Sequence, residues 1–297
     1  MKELLAGVAL DLAIGDPRWF PHPVRGFGWL AAQLERFWRW TNLPPRLAGV
    51  LFCLTSVGAA CLVVLGTLPY AAVFWIWACL AIRDLDVEAG RVLARLQAQD
   101  LPAARAMLAR IVGRDTEDLD EPEILRAVIE TVAENLSDAV VAPLFYLALA
   151  GPAGMAAYKA INTLDSIAGY RNERYRLFGW AAAKLDDAAN FAPARLTAAL
   201  VWAAAWLLRY DARRSVRVTL RDARRQPSLN AGYPEAAVAG ALGVRLGGTN
   251  YYDKVAAAKA CLGDAVRPLA REHFRQARRI LYAVSAFAVL LACGVMA

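Results

Sequence analysis

Histidine is scarce in this chain: there are two in 297 residues, His22 and His273. They are far apart and neither sits in an HExxH-like context, which argues against a zinc centre. The five cysteines form no CxxC pair. Cys53, Cys61, Cys79 and Cys293 lie in apolar runs and Cys261 stands alone, so neither a disulfide framework nor thiolate metal ligation is indicated. No Walker-type phosphate loop, no dinucleotide GxGxxG after a strand, no GxSxG elbow and no Cys/His nucleophile pair occurs, which removes the common nucleotide folds and acyl-transfer triads. Charge is also thin, at 21% of residues, where a soluble domain carries about a quarter.

What is present is apolar sequence gathered into runs. Apolar residues make up 58% of the chain and mean hydropathy is +0.34, which excludes a disordered chain and a disulfide-rich mini-protein. The reading is an all-α, polytopic integral membrane protein, a single domain over 1–297, with roughly four to six membrane helices and large polar loops. Residues 3–14 read as a retained first helix, since no small-residue cleavage site follows, and Asp11 within it is expected to face protein or a polar cavity. Residues 47–82 are nearly uncharged and too long for one span, and Gly66 to Tyr70 breaks them into helices at roughly 47–66 and 70–83, with Trp75 and Trp77 near an interface. Further spans are expected at roughly 139–158, 191–208 and 280–296. The polar loops are then 15–46, 84–138, 159–190 and 209–279. Pro143 and Gly151-Pro152-Ala153-Gly154 interrupt the fourth apolar stretch, which reads either as one irregular span or, the favoured reading, as a re-entrant hairpin over 139–167 with its irregular backbone lining a protein cavity.

Net charge is +7, unevenly spread. Residues 83–139 hold 7 basic and 13 acidic side chains, and residues 209–279 hold 15 basic and 6 acidic. The basic stretch suits anionic lipid or phosphate-bearing ligands, and the positive-inside rule places it in the cytoplasm. No aromatic platform accompanies Arg213-Arg214 or Arg224-Arg225, so nucleic acid is not an expected partner.

Four polar blocks stand out. Gly15 to Arg25 packs three prolines around Asp16, Arg18, His22 and Arg25, a stiff loop that reads as a ligand site or as an ordered surface turn. Glu130, Glu134 and Asp138 are spaced i, i+4, i+8, one acidic helical stripe running into apolar sequence, with Asn135 beside it. Such a stripe is either solvated or compensated by a cation such as Mg²⁺. Lys159 to Tyr175 is the densest block: Asn162 and Asp165 share a face with Gly169, and Tyr170, Arg171, Asn172 and Arg174 follow. Its arginines suit carboxylate or phosphate, or pair among themselves with the neighbouring acids. Asp186-Asp187 and Asn190 add acids and an amide before the next span. The fourth block runs from Arg221 through Asn230, Glu235 and Arg245 to Asn250. Its glycines with arginines suit phosphate binding or a helix C-cap and turn.

Taken together these blocks resemble the CbiB/CobD family of cobalamin biosynthesis, the adenosylcobinamide-phosphate synthases. The resemblance runs from Asp11 to about Tyr252. It is carried by GDPRWFPHPVR at 15–25, ETVAENLSD at 130–138, APLFY at 142–146, YKAINTLDS and GYRNERY across 158–175, KLDDAANFAPAR at 184–195, NAGYPEAAVAGALGVRLGG at 230–248 and NYY at 250–252. The chain departs from the family pattern at Ala139, Leu229 and Tyr233, where Gly, Pro and Trp are usual.

The resemblance implies a carbon–nitrogen ligase of the cell membrane. It joins the free carboxylate of adenosylcobyric acid to the amine of 1-aminopropan-2-ol phosphate, or a related amino alcohol phosphate, with ATP and Mg²⁺. Its partners are then the corrinoid, the amino alcohol phosphate and the lipid bilayer, with a homo-oligomer or association with other membrane enzymes of the pathway allowed. Combined with the residue types, this gives a working assignment. Glu130, Glu134, Asp138 and Asp165 would hold Mg²⁺, and His22, Glu134 and Asp165 would do the chemistry. Asp16, Arg18, Arg25, Asn135, Asn162, Tyr170, Arg171, Asn172, Arg174, Asn230, Glu235, Arg245 and Asn250 would bind substrates. Two readings compete: a non-catalytic membrane modulator of the AmpE-like kind, and an anion transporter built on Asp11 and the broken helix.

Overall fold

The structure, a computed structural model, describes every residue except Arg18, Tyr170 and Arg171. Among the described residues it is built of thirteen α-helices and one two-stranded sheet. The helices are α1 (Lys2–Ile14), α2 (Pro23–Trp40), α3 (Pro45–Thr67), α4 (Ala72–Cys79), α5 (Ile82–Gln97), α6 (Leu101–Leu108), α7 (Glu121–Leu136), α8 (Ala142–Ala168), α9 (Trp180–Ala189), α10 (Phe191–Leu207), α11 (Ala212–Asp222), α12 (Gly232–Leu242) and α13 (Arg271–Met296). Strands β1 (Leu246–Tyr252) and β2 (Val255–Leu262) pair antiparallel. Three stretches hold helix long and apolar enough to cross a membrane: Pro45–Thr67, Glu121–Ala168 and Arg271–Met296, with Phe191–Leu207 a shorter apolar helix.

Where one integral domain is expected from the sequence, the chain divides into two compact units. The first comprises Met1–Ala81, Asp138–Phe191 and Val289–Ala297; the second comprises Ile82–Ser137 and Ala192–Ala288.

The first unit is helical. Phe52, Cys53, Leu164, Ala168 and Phe178 form its main core, fed by α2, α3, α8 and α9. Gly49 sits where any Cβ would strike the Phe178 carbonyl, so the close approach at that point requires glycine. Asp11 is buried against protein, as expected. Three expectations are corrected. Residues 15–46 are not all loop: Pro23 at the helix start and His22 as N-cap open α2, whose amphipathic face buries Ala31 and Glu35. Residues 159–190 are likewise helical for most of their length, in α8 and α9. The helix expected at 70–83 ends at Cys79, and Trp75 and Trp77 lie buried rather than at an interface. Their indole N–H groups donate to the Thr67 hydroxyl and the Gly15 carbonyl, which satisfies the polar handle that otherwise draws Trp to water.

Helix α8 folds back on itself. Ala150 and Gly151 leave helical geometry, and Gly151 takes φ 65°, a conformation glycine adopts without strain. Tyr146 and Tyr158 stack with ring centroids 5.2 Å apart, whereas twelve residues of straight helix would separate them by about 18 Å. The hairpin read from Gly151-Pro152 is therefore present, with limbs of unequal length.

The second unit carries the sheet, which corrects the all-α expectation. Asp253 and Lys254 take positive φ of 48° and 63°, the conformation of a two-residue type I′ turn. The Asp115 carboxylate accepts both their N–H groups, at 3.2 and 2.7 Å. Gly247, at φ 81°, makes the bulge at the start of β1, where a Cβ would strike the Ala260 carbonyl. Helix α7 opens with a reciprocal capping box between Asp120 and Glu123.

Candidate active site

The four sequence blocks fall into the two units as follows. The first and third lie in the first unit, the fourth in the second, and the acidic stripe is divided, with Glu130 and Glu134 in the second unit and Asp138 in the first.

In the first unit, the proline-rich loop fixes His22. Its Nδ1 accepts the Val24 N–H at 3.4 Å, and its Nε2 lies 3.0 Å from Asp16 Oδ1. Trp77 packs edge-on against the imidazole, 5.6 Å between centroids. The approach of Nε2 to Asp16 is close but is not aligned as a hydrogen bond, and among the described residues the buried His22 Nε2 makes none. His22 is thus held in the loop through Nδ1, with Nε2 beside Asp16. Arg25 is exposed one turn into α2. Arg18, Tyr170 and Arg171 lie outside the described residues.

The hairpin in α8 gathers a second cluster. Asn162 Nδ2 is placed at 3.3 Å from Asp138 Oδ2 and at 3.4 Å from Asp186 Oδ1. Asn190 Nδ2 donates to the other Asp186 oxygen at 3.0 Å, and its own oxygen accepts the Tyr158 hydroxyl at 2.8 Å. The Tyr146 hydroxyl donates to the Ala189 carbonyl at 2.9 Å. Two carboxylates, Asp138 from the turn before α8 and Asp186 from α9, therefore meet on one amide. Burial holds the Asp186 carboxyl above its ordinary range, the two amide hydrogen bonds oppose that, and neighbouring Asp187 adds to it. Asp165 folds back against Gly169, whose Cβ would collide with its carboxylate. Arg174 donates to Glu35 at 3.1 Å while remaining largely exposed, and Asn172 caps the following turn through the Tyr175 N–H.

In the second unit Glu130 is buried and fully engaged. Arg114 donates to its Oε2, the Gly247 N–H donates to its Oε1 at 2.7 Å, and Arg126 lies 3.7 Å away. Arg114 also donates to Asn250 Oδ1 at 2.8 Å. A carboxylate with a buried guanidinium on one oxygen and a backbone donor on the other has little charge left for a cation, so Glu130 does not fit the metal-ligand role. Beside it Glu235 accepts from Gln226 at 3.0 Å. Its carboxyl is pushed up to about 8 by burial first, then by the nearby charges of Glu134 and Glu130, with Lys259 opposing. Asn135 returns its amide to the Thr131 carbonyl within its own helix, at 2.9 Å. Asn230 accepts from Arg195 at 3.3 Å. Arg245 is exposed.

Among the described residues no group of three or more His, Cys, Asp or Glu is arranged to hold a metal ion. The quartet of Glu130, Glu134, Asp138 and Asp165 is not such a group. Asp138 and Asp186 share the Asn162 amide, and two such carboxylates would hold Mg²⁺ only with substrate oxygens completing the shell. Asp186, Asn190, Tyr158, Arg114 and Gln226 escape the sequence assignment. Only the i, i+4 spacing of Asp186 and Asn190 within KLDDAAN offered a signal.

These features define a class: a multi-helix chain with membrane-length apolar helices and a polar cluster of acids and amides at a broken helix. Residues 4–281 match the CobD/Cbib protein family. The chain is 47% identical over 97% of its length to a cobalamin biosynthesis protein CobD of Geobacter metallireducens, covering 94% of that protein. It is 45% identical over 95% to the protein of that name in Pelobacter propionicus, covering 91% of it, and 40% identical over 98% to that of Clostridium perfringens, covering 96%. No solved structure matches. The chain belongs to the CobD/Cbib family.

Proposed function

We propose that this protein acts in cobalamin biosynthesis as an ATP-dependent carbon–nitrogen ligase of the cell membrane. It joins the free carboxylate of adenosylcobyric acid to the amine of 1-aminopropan-2-ol phosphate, or a related amino alcohol phosphate. The observation that carries the reading is the convergence of Asp138 and Asp186 on Asn162, with Asn190 and Tyr158 behind them. Family membership supports the pathway, and this acid–amide cluster supports the chemistry.

A carboxylate does not condense with an amine in water until one of its oxygens becomes a leaving group. A carboxylate oxygen attacks the γ-phosphorus of ATP and ADP departs. The amine then attacks the acyl carbon, inorganic phosphate departs, and the ammonium proton passes to a carboxylate. Asp138 and Asp186 would hold Mg²⁺, which would supply neutralisation of the transferring phosphoryl group. Asn162 and Asn190 orient those carboxylates, and Tyr158 fixes Asn190. Asp165, one turn along α8 from Asn162, is assigned the proton. His22 and Asp16 shape the loop opening α2.

The test mixes detergent-purified protein with adenosylcobyric acid, amino alcohol phosphate and Mg²⁺, with and without ATP, and follows the amide by mass spectrometry. Amide formed only with ATP supports the ligase. Well-folded protein that forms none with either amino alcohol phosphate turns the reading to a non-catalytic membrane modulator.

A further inference from the structure

Arg195, Arg224 and Tyr233 meet in the second unit and have no role in the mechanism above. Arg195, near the start of α10, lays its guanidinium over the Tyr233 ring, 4.2 Å from the centroid, and donates to Asn230 Oδ1 at 3.3 Å. Arg224 Nε lies 3.5 Å from the Tyr233 hydroxyl. The phenol is held below its ordinary range, first by the hydrogen bond from Arg224 and further by the charge of Arg195, against the opposing effect of burial.

The neighbouring acids are engaged by other arginines. Asp222 takes Arg221 and Arg225, Asp264 takes Arg221, and Asp211 takes Arg214. Arg224 pairs with no carboxylate among the described residues. The backbone that carries the cluster is fixed: the Ser228 hydroxyl accepts the N–H groups of Asn230 and Ala231, at 3.3 and 3.1 Å. Gly232 packs where a Cβ would strike the Ala223 carbonyl. Two cations and a phenol donor are thus brought to one ring by a rigid turn. A guanidinium stacked on an aromatic face presents its N–H fork edgewise, the geometry that receives a tetrahedral oxyanion in bidentate fashion. Two guanidinium groups match the charge of a single phosphate monoester, rather than that of a triphosphate.

We propose that Arg195, Arg224 and Tyr233 bind a phosphate monoester dianion, namely the phosphate of the amino alcohol substrate. The identity of the ligand rests on the ligase reading, while the site itself does not.

Calorimetry measures the binding of aminopropanol phosphate, inorganic phosphate and ATP to the parent and to R224Q, R224K and R195K. Steady-state kinetics runs in parallel. Loss of one charge-assisted contact weakens binding by about tenfold or more. R224Q is therefore expected to bind aminopropanol phosphate and inorganic phosphate at least about tenfold more weakly. Its KM for the amino alcohol phosphate rises in step, with kcat and the KM for ATP unchanged. R224K recovers part of the affinity because the charge remains, and R195K loses affinity because stacking and the fork are gone. Unchanged phosphate binding in R224Q overturns the site, and so does a loss confined to ATP. If the parent forms no amide yet binds the monoester in an Arg224-dependent manner, the ligase reading falls and the site stands.

Discussion

The two units treat buried carboxylates in opposite ways. In the second, Glu130 receives a buried guanidinium from Arg114 and a backbone N–H from Gly247, so its charge is matched by structure. In the first, Asp186 meets two amides, Asn162 and Asn190, and no arginine or lysine among the described residues. Its carboxyl rises above the ordinary range, chiefly through burial. A neutralised acid holds elements together. An acid supported only by neutral donors and raised by burial leans toward its neutral form until a cation arrives to balance it. This contrast is why the cation is proposed at Asp138 and Asp186 rather than at Glu130.

The largest effect on stability is expected where charge is matched. Arg114→Leu leaves Glu130 buried without its main cation and should cost about 3–5 kcal/mol, read as a lowered chemical-denaturation midpoint in detergent. If Arg114→Leu is as stable as the parent, the contrast fails at its structural end. Gly247→Ala places a methyl group against the Ala260 carbonyl at a positive φ and should cost about 1–3 kcal/mol, together with loss of hairpin amide protection in hydrogen exchange.

Glu235 sharpens the comparison through pH. Its folded carboxyl is pushed up to about 8, well above the ordinary carboxylate range, so between that range and about 8 the native chain holds a proton that the unfolded chain has released. Stability therefore falls as pH rises through that window, and the loss is complete above the folded value. Glu235→Gln should flatten the profile, matching the parent at pH about 5 and exceeding it at pH about 9. A parent profile that rises with pH across that range, unaffected by Glu235→Gln, would contradict the assignment.

The smallest expected stability change belongs to the first unit. Asp186→Asn retains much of the cluster's shape and should shift stability by less than about 1 kcal/mol. Amide formation should nonetheless fall by about 10²-fold or more. Near-normal turnover in Asp186→Asn would remove the acid pair from the mechanism. Tyr158→Phe removes the donor behind Asn190 and should cost about 1 kcal/mol, with a milder loss of turnover.

Much of the fold was legible because its signals are local. The break at Gly151-Pro152, the long apolar helix opened by Pro45, and the burial of Asp11 follow from backbone freedom, hydropathy and the cost of a charge in an apolar setting. The hairpin at Asp253-Lys254 was missed because its residues carry no Asn-Gly signature, and its turn is held by Asp115 from another segment. The amphipathic helix α2 was read as loop because Pro17, Pro21 and Pro23 cluster at its start, though Pro23 is its first residue, where proline is tolerated.

The acidic stripe shows where sequence spacing reaches its limit. Glu130, Glu134 and Asp138 are related by helical period, but the π-helical turn at Ser137–Val141 and the partners of each acid decide their fates. Sequence alone determined the family motifs, the polar blocks and the presence of membrane-length apolar helices, three where four to six spans were expected, because hydropathy and residue order are properties of the chain itself. Only the tertiary structure decided which acids are neutralised and which are held on amides. An acid's environment is set by residues far away in sequence: Arg114 for Glu130, Asn162 and Asn190 for Asp186, and the folded-back limb of α8 that brings Tyr158 to Asn190.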